Sequence, residues 1–196
     1  MDFFRKLNLK TNIEFFRRLY EFVEIDSNYD SNVSMCWTEN KKEFENINVF
    51  VDKITTKLNC KISRSCYTIQ HNDRSHLPIH IDKDDSIMEK SIHGEIYSLI
   101  IPIQGSAYTK FYSLHEEDIG PYNMDINERY ELYMNDKSIN EKLKICQETI
   151  IDSPTILNIS NPHSVEMIES PRVTYHVKLL QCNLNIYEIE ELLNAL

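Results

Sequence analysis

Glycine is scarce in this chain. Three occur in 196 residues, Gly94, Gly105 and Gly120, which excludes a flexible Gly-rich linker or a collagen-like repeat. An excess of positive charge is also missing. Lys and Arg number 21 against 31 Asp and Glu, for a formal net charge of -10. Non-specific nucleic-acid affinity comes from Lys and Arg neutralising phosphates, so a nucleic-acid partner is disfavoured. Long apolar runs are absent too. The longest, Leu99 to Ile103, is far short of the ~20 residues that span a bilayer. The opening decapeptide MDFFRKLNLK lacks the apolar stretch of a signal peptide. The five cysteines are odd in number and form no CxxC. These absences point to a cytoplasmic protein without a membrane partner, with free thiols that pack as small buried side chains.

The length suits one domain over 1–196, large enough to bury a core without disulfides or a structural metal. The first sixty residues read as a helical support. Thr11 and Glu14 have capping-box spacing ahead of Phe15, Phe16, Leu19, Tyr20 and Val23, which share one helical stripe. Residues 26–40 are rich in Asp, Asn and Ser and read as a loop. Asn40 and Glu43 have the spacing to cap a second helix, whose stripe is Phe44, Ile47, Phe50, Val51, Ile54 and Leu58. From about residue 61 the texture turns to short β-rich runs: 62–70, 77–82, 97–103, 107–114, 148–151, 155–159, 164–168 and 172–180. That is the strand count of a jelly roll. The fold class is therefore mainly β with flanking helices, a core over 61–182 interrupted by a polar insertion at 115–147. Part of that insertion, 127–146, has helical character, and an Asn-x-x-Glu start opens a closing helix over 185–196.

The chemistry-bearing segment is Leu77-Pro78-Ile79-His80-Ile81-Asp82. Alternate strand residues share a face, so His80 and Asp82 point one way, into the sandwich. Leu77, Ile79 and Ile81 point the other way, toward the helices. His163 opens a later strand, and Arg172 opens the next, nine residues on. The Ser170-Pro171 turn is expected to set those two strands side by side in one sheet, with His163, Arg172 and Thr174 on its interior face. Two imidazoles and one carboxylate form the facial triad of non-haem iron(II). An interior Arg has a planar fork suited to a carboxylate. Together they ask for a small dicarboxylate, one end on the metal and the other on Arg172.

With these residues in place, the chain resembles the 2-oxoglutarate- and iron(II)-dependent oxygenases with a double-stranded β-helix core. The resemblance covers 61–182 and rests on four pieces. They are His80-Ile81-Asp82, the strand pair Ser98–Ile103 and Thr109–Tyr112, Asn161-Pro162-His163, and Pro171-Arg172-Val173-Thr174. It implies that His80, Asp82 and His163 bind Fe(II), and that Arg172, helped by Thr174, binds the distal carboxylate of 2-oxoglutarate. It also implies an enzyme that uses O2, converts 2-oxoglutarate to succinate, and hydroxylates a small molecule or a peptidyl side chain. The nucleic-acid demethylase branch carries a second Arg six residues after the first. Here that position is Lys178, which disfavours the branch.

Rival readings attach to particular residues. His176 has the parity of Arg172 and is the rival third ligand. Asp152 is the rival partner for Arg172. Lys110 is a second candidate for the carboxylate contact. Tyr67 stands where prolyl hydroxylases often place a Tyr before H-x-D. His71 and His76 read as entrance or solvated residues, and Asp84, Asp85 and Glu89 as a solvated acidic loop. Two other functions suit the same architecture. A cupin-like metal-binding protein or isomerase would carry more histidine ligands and glycine. A non-catalytic interaction protein would not need the triad and Arg172 intact.

Overall fold

The structure, a computed structural model, describes residues 2–9, 13–23, 33–38, 41–71, 77–80, 95–113 and 143–196. Among the described residues, ten strands build two antiparallel sheets. They are β1 (Phe4–Lys6), β2 (Val33–Trp37), β3 (Lys61–Gln70), β4 (Leu77–His80), β5 (Glu95–Gln104), β6 (Ala107–Ser113), β7 (Lys144–Ile150), β8 (Thr155–Asn158), β9 (His163–Met167) and β10 (Arg172–Cys182). The major sheet runs β1-β8-β5-β10-β3-β2, and the minor sheet runs β4-β9-β6-β7. Three helices complete the described residues: α1 (Ile13–Tyr20), α2 (Glu45–Leu58) and α3 (Ile186–Asn194). Among these residues no helix is long and apolar enough to cross a membrane.

The helices cover one face of the major sheet. In α2 the stripe Ile47, Val51, Ile54 and Leu58 is buried, as its spacing predicts. It packs in one cluster with Phe16 of α1, Ile189 and Leu193 of α3, and the sheet residues Tyr67, Ile69, Tyr175 and Val177. Fully burying a large apolar side chain contributes about 1.5–3 kcal/mol, so this layer carries most of the apolar stabilisation. Its centre is aromatic. Tyr175 lies 5.1 Å from Phe16 and 5.1 Å from Tyr67, ring centroid to centroid. The closing helix starts as its sequence indicates: Asn185 caps the backbone N–H groups of Tyr187 and Glu188, and the Glu188 carboxylate accepts from the Asn185 N–H. By contrast, α2 is entered through a 3-10 turn at Lys42–Phe44 with no side-chain cap. Thr11 and Asn40, the expected caps of the first two helices, lie outside the described residues.

Three local expectations are corrected. The first sixty residues are not helical throughout: they hold β1, and the stretch read as a loop holds β2. Neither strand announces itself, because each is short and formed by non-local pairing. β1 adds to β8, with Arg5 opposite Ile156, and β2 adds to β3, with Cys36 opposite Tyr67. At the end of the insertion, Lys144–Cys146 is strand rather than helix. β7 pairs with β6 from Lys144 opposite Ser113 to Ile150 opposite Tyr108. Its polar, largely exposed start hides the period of two.

The β9–β10 connection is the correction with most consequence for function. These strands do not lie side by side. β9 belongs to the minor sheet, between β4 and β6, and β10 to the major sheet, between β5 and β3. The intervening turn, with its cis Ser170–Pro171 bond, crosses from one layer to the other. His163 and Arg172 therefore stand on facing walls. Gly105, at the β5–β6 turn, lets this crossing pack close. Its φ is +66°, and a Cβ there would meet the Pro171 carbonyl oxygen at 2.7 Å and that of Glu169 at 2.8 Å.

Candidate metal and carboxylate site

The minor sheet supplies the histidines. His80 ends β4 and stands directly opposite His163 of β9, with ring centroids 4.2 Å apart. Both are buried. On the next strand Phe111 is the partner of His163, and their rings lie 6.0 Å apart. Phe111 joins Ile96, Ile100, Leu157 and Leu180 of the major sheet in an interior cluster, so this face looks into the space between the sheets. The pairing of β4 with β9 shifts register between Leu77 and His80. That shift and the membership of β4 in the minor sheet overturn the expectation that its other face packs under the helices. Ile79 is only half-buried and is not in the helix-side cluster.

One nitrogen of His163 is assigned by its partner. Nδ1 lies 2.9 Å from the Asn161 carbonyl oxygen. A carbonyl only accepts, so Nδ1 carries the proton and Nε2 is the basic nitrogen, the arrangement of a metal-ligating histidine. Asp82, the expected carboxylate ligand, lies outside the described residues, as do His76, His93, His115, Asp84, Asp85 and Glu89. The same holds for most of the 115–147 insertion. Among the described residues no group of three His, Cys, Asp or Glu forms a metal-binding cluster.

The major sheet supplies the cation. Arg172 opens β10, is 3% exposed, and donates from Nη1 to the Oε1 of Gln70, its cross-strand neighbour, at 2.6 Å. Its Nε and Nη2 are buried without a hydrogen-bond partner among the described residues. These two N–H groups lie on one edge of the planar fork, the edge that takes a carboxylate bidentately. Burial pushes the guanidinium down to about 10. A bound anion would restore what desolvation removes. Thr174 is buried on the same face, with its hydroxyl 2.6 Å from His176 Nε2. If that Nε2 carries the proton, the Thr174 hydroxyl remains a donor toward a ligand. In the other tautomer, Thr174 donates to His176 instead.

The rival assignments fall to placement. His176 lies on β10, in the other sheet from His80 and His163, and is bonded to Thr174. Asp152 pairs with Lys6 at 2.7 Å rather than with Arg172. Lys110 lies on the outer face of β6, paired with Glu166, so it makes no interior carboxylate contact. Tyr67 faces the helices and donates its hydroxyl to the Phe16 carbonyl at 2.9 Å. It is a core residue, and burial holds its phenol well above the usual range. His71 is exposed, with Nε2 2.7 Å from the Ser34 hydroxyl. Sequence reasoning missed Gln70, the residue that orients Arg172. Its signal was the alternation in β3, where Arg64, Cys66, Thr68 and Gln70 share one parity and Ser65, Tyr67 and Ile69 the other.

No protein-family model matches the sequence, and no curated protein matches it. By structure, the chain shares its fold with 2-oxoglutarate-dependent enzymes. HygX from Streptomyces hygroscopicus, solved with nickel and 2-oxoglutarate bound, gives a TM-score of 0.55 over 93% of this chain and 84% of its own, at 12% identity. The non-heme alpha-ketoglutarate-dependent epimerase SnoN from nogalamycin biosynthesis gives 0.55 over 91% and 78%, at 7% identity. The non-heme alpha-ketoglutarate-dependent carbocyclase SnoK from the same biosynthesis gives 0.56 over 90% and 79%, at 9% identity.

Proposed function

We propose that this protein is a 2-oxoglutarate- and iron(II)-dependent oxygenase that hydroxylates a small molecule. The observation that carries the reading is the bidentate edge of Arg172. It is buried and unpartnered among the described residues, in the wall facing the His80–His163 pair. A fold that desolvates a cation and leaves its carboxylate-binding edge open is built for a carboxylate ligand.

The residues divide the work. His80 and His163 would hold the ion, with Asp82, two positions after His80 in the sequence, as the third ligand. His163 presents Nε2 because the Asn161 carbonyl holds the proton at Nδ1. Gln70 accepts from Nη1 of Arg172 and so turns Nε and Nη2 toward a distal carboxylate. Thr174 adds a hydroxyl on the same face. The interior cluster around Phe111 and Ile100 keeps water from the histidine side. When bound, iron and 2-oxoglutarate supply oxidation of a substrate C–H bond, coupled to decarboxylation of 2-oxoglutarate to succinate. The choice of a small molecule is supported by HygX, which is also known with hygromycin B bound, and with iron bound.

The test is spectroscopic and then catalytic. Anaerobic addition of Fe(II) and 2-oxoglutarate should give a weak visible charge-transfer band, absent in His80→Ala. On admission of O2, succinate should form. A wild-type protein that binds iron yet shows neither band nor succinate would be a metal-binding protein of the same architecture, and the reading would fail.

A further inference from the structure

Two cysteines meet at the end of β10 remote from Arg172. Leu180 of β10 stands opposite Lys61, the first residue of β3, so the end of one strand lies beside Cys60, the residue before the other. The thiols of Cys60 and Cys182 are in hydrogen-bond contact. Among the described residues only two besides glycine have a positive φ, Asn59 at +47° and Gln181 at +53°. Each immediately precedes one of the two cysteines. Asn59 is the left-handed cap that ends α2, an ordinary place for Asn. Gln181 lies inside a strand, where a left-handed residue with a side chain is uncommon. Its effect is a change of face. Leu180 belongs to the cluster between the sheets, and a regular strand would put Cys182 on that same face. Instead the pairing of β10 with β5 shifts register between Leu179 and Cys182, and Cys182 packs with Leu179 in the helix-side cluster. Cys60 and Ile62 pack against that cluster too, Ile62 standing opposite Leu179. The bend at Gln181 thus turns the Cys182 thiol toward Cys60. The hydrogen bond from Cys60, with help from the Leu184 backbone, draws the Cys182 thiol down to about 7, against burial and the Glu188 carboxylate. The same bond and burial push the Cys60 thiol up. Near neutral pH Cys182 is the thiolate of the pair and Cys60 its proton donor.

We propose that Cys60 and Cys182 are a peroxide-responsive dithiol, a modification site that closes reversibly into a disulfide. The Cys182 thiolate attacks one oxygen of hydrogen peroxide. An S–O bond forms, the O–O bond breaks, and hydroxide leaves. The Cys60 sulfur then attacks the Cys182 sulfenic acid. The S–S bond forms, the S–O bond breaks, and the departing hydroxyl takes the Cys60 proton and leaves as water. Two thiols are oxidised and one peroxide is reduced. A dithiol reductant reverses the step by thiol–disulfide exchange. Cys60 is only half-buried, which leaves the pair an approach for a molecule as small as peroxide. The new bond ties the α2–β3 junction to the end of β10, just ahead of α3, and closes a long loop that the unfolded chain otherwise leaves open. The pair lies on the helix side of the major sheet, so the proposal goes beyond the oxygenase reading and does not depend on it.

Cys146 is exposed and serves as the internal comparison. The full chain, reduced and then freed of reductant, would be treated with hydrogen peroxide, with and without a chelator. Remaining thiols would be alkylated and the protein mapped by mass spectrometry. One linked peptide should join Cys60 to Cys182, form at least about tenfold faster than Cys146 is oxidised, and disappear with dithiothreitol. Cys60→Ser should instead leave a sulfenic acid at Cys182 that dimedone traps. Cys182→Ser should slow oxidation of Cys60 by at least about tenfold. The linked wild-type protein should also unfold at a higher urea concentration than the reduced one, and an equal or lower midpoint would overturn its role as a staple. The dithiol itself would be overturned by oxidation of Cys146 with no Cys60–Cys182 peptide, or by linkage of other cysteines at the same rate. Linkage that the chelator abolishes would overturn it as well, because iron and not the thiol pair would then drive the oxidation.

Discussion

Strand β10 has two faces that do different jobs. Val173, Tyr175, Val177 and Leu179 point to the helices and are fully buried in the aromatic and aliphatic layer. Arg172, Thr174, His176 and Lys178 point into the space between the sheets and are polar or charged. The neighbouring strand β3 repeats the division, with Tyr67 and Ile69 outward and Gln70, Thr68, Cys66 and Arg64 inward. A period of two allows one strand to stabilise the fold and position chemistry without either set of side chains touching the other. The outward face gains from burial. The inward face bears a desolvation cost, visible in the depressed pKa of Arg172.

Substitutions on the two faces should separate these roles. The largest effect is expected at the histidines. His163→Ala should cut succinate formation by more than the ~10–100-fold that outer-shell changes at metal sites cost, with an unchanged far-ultraviolet circular dichroism spectrum. A loss of helix and sheet signal instead would make His163 a structural core residue. Next comes the outward face. Leu179→Ala removes a fully buried side chain and should cost about 2–5 kcal/mol in urea unfolding. The 2-oxoglutarate affinity of the folded fraction should stay put, and a parallel fall in affinity would mean the two faces are coupled.

Arg172→Leu inverts that pattern. Loss of a charge-assisted bidentate contact, about 2–3 kcal/mol, should raise the Kd for 2-oxoglutarate on the order of a hundredfold. Iron binding should be retained. Ligand-free stability should be equal to or above wild type, because a buried and incompletely paired cation is gone. A clear drop in melting temperature without ligand would show Arg172 to be structural. The smallest effect is expected outside both layers. Lys110→Met breaks an exposed pair with Glu166, for at most ~0.5 kcal/mol after solvent screening, with no change in 2-oxoglutarate affinity. Any measurable change in that affinity would contradict the outward placement of Lys110.

Much of the core was legible in the chain because local patterning and tertiary environment agree there. The α2 stripe, the Asn185–Glu188 capping box and the alternation of β3 and β10 are each readable within a few residues and each appear in the fold. The sequence offers His80, His163 and Arg172 as candidates, and the fold sets the two imidazoles side by side with Arg172 in the facing sheet. How the site is built was not legible in the chain. Gln70 and Arg172 are 102 positions apart, and no local pattern says that β3 and β10 are neighbours. Lys110, Tyr67 and Asp152 are plausible interior residues by sequence, and only their tertiary partners Glu166, Phe16 and Lys6 give each a direction. β1 and β2 were hidden because their strand state is conferred by the partners they join.

Residue order therefore set the periodicities, the caps and which side chains share a face of one strand, since these depend on backbone geometry over a few residues. Which layer each strand joins, and hence that His163 and Arg172 oppose each other across an interior instead of lining one sheet, came only with the folded chain. The reason is that strand pairing is a contest among distant segments for hydrogen bonds and buried area. Its outcome is a property of the whole assembly of strands, not of any window along the sequence.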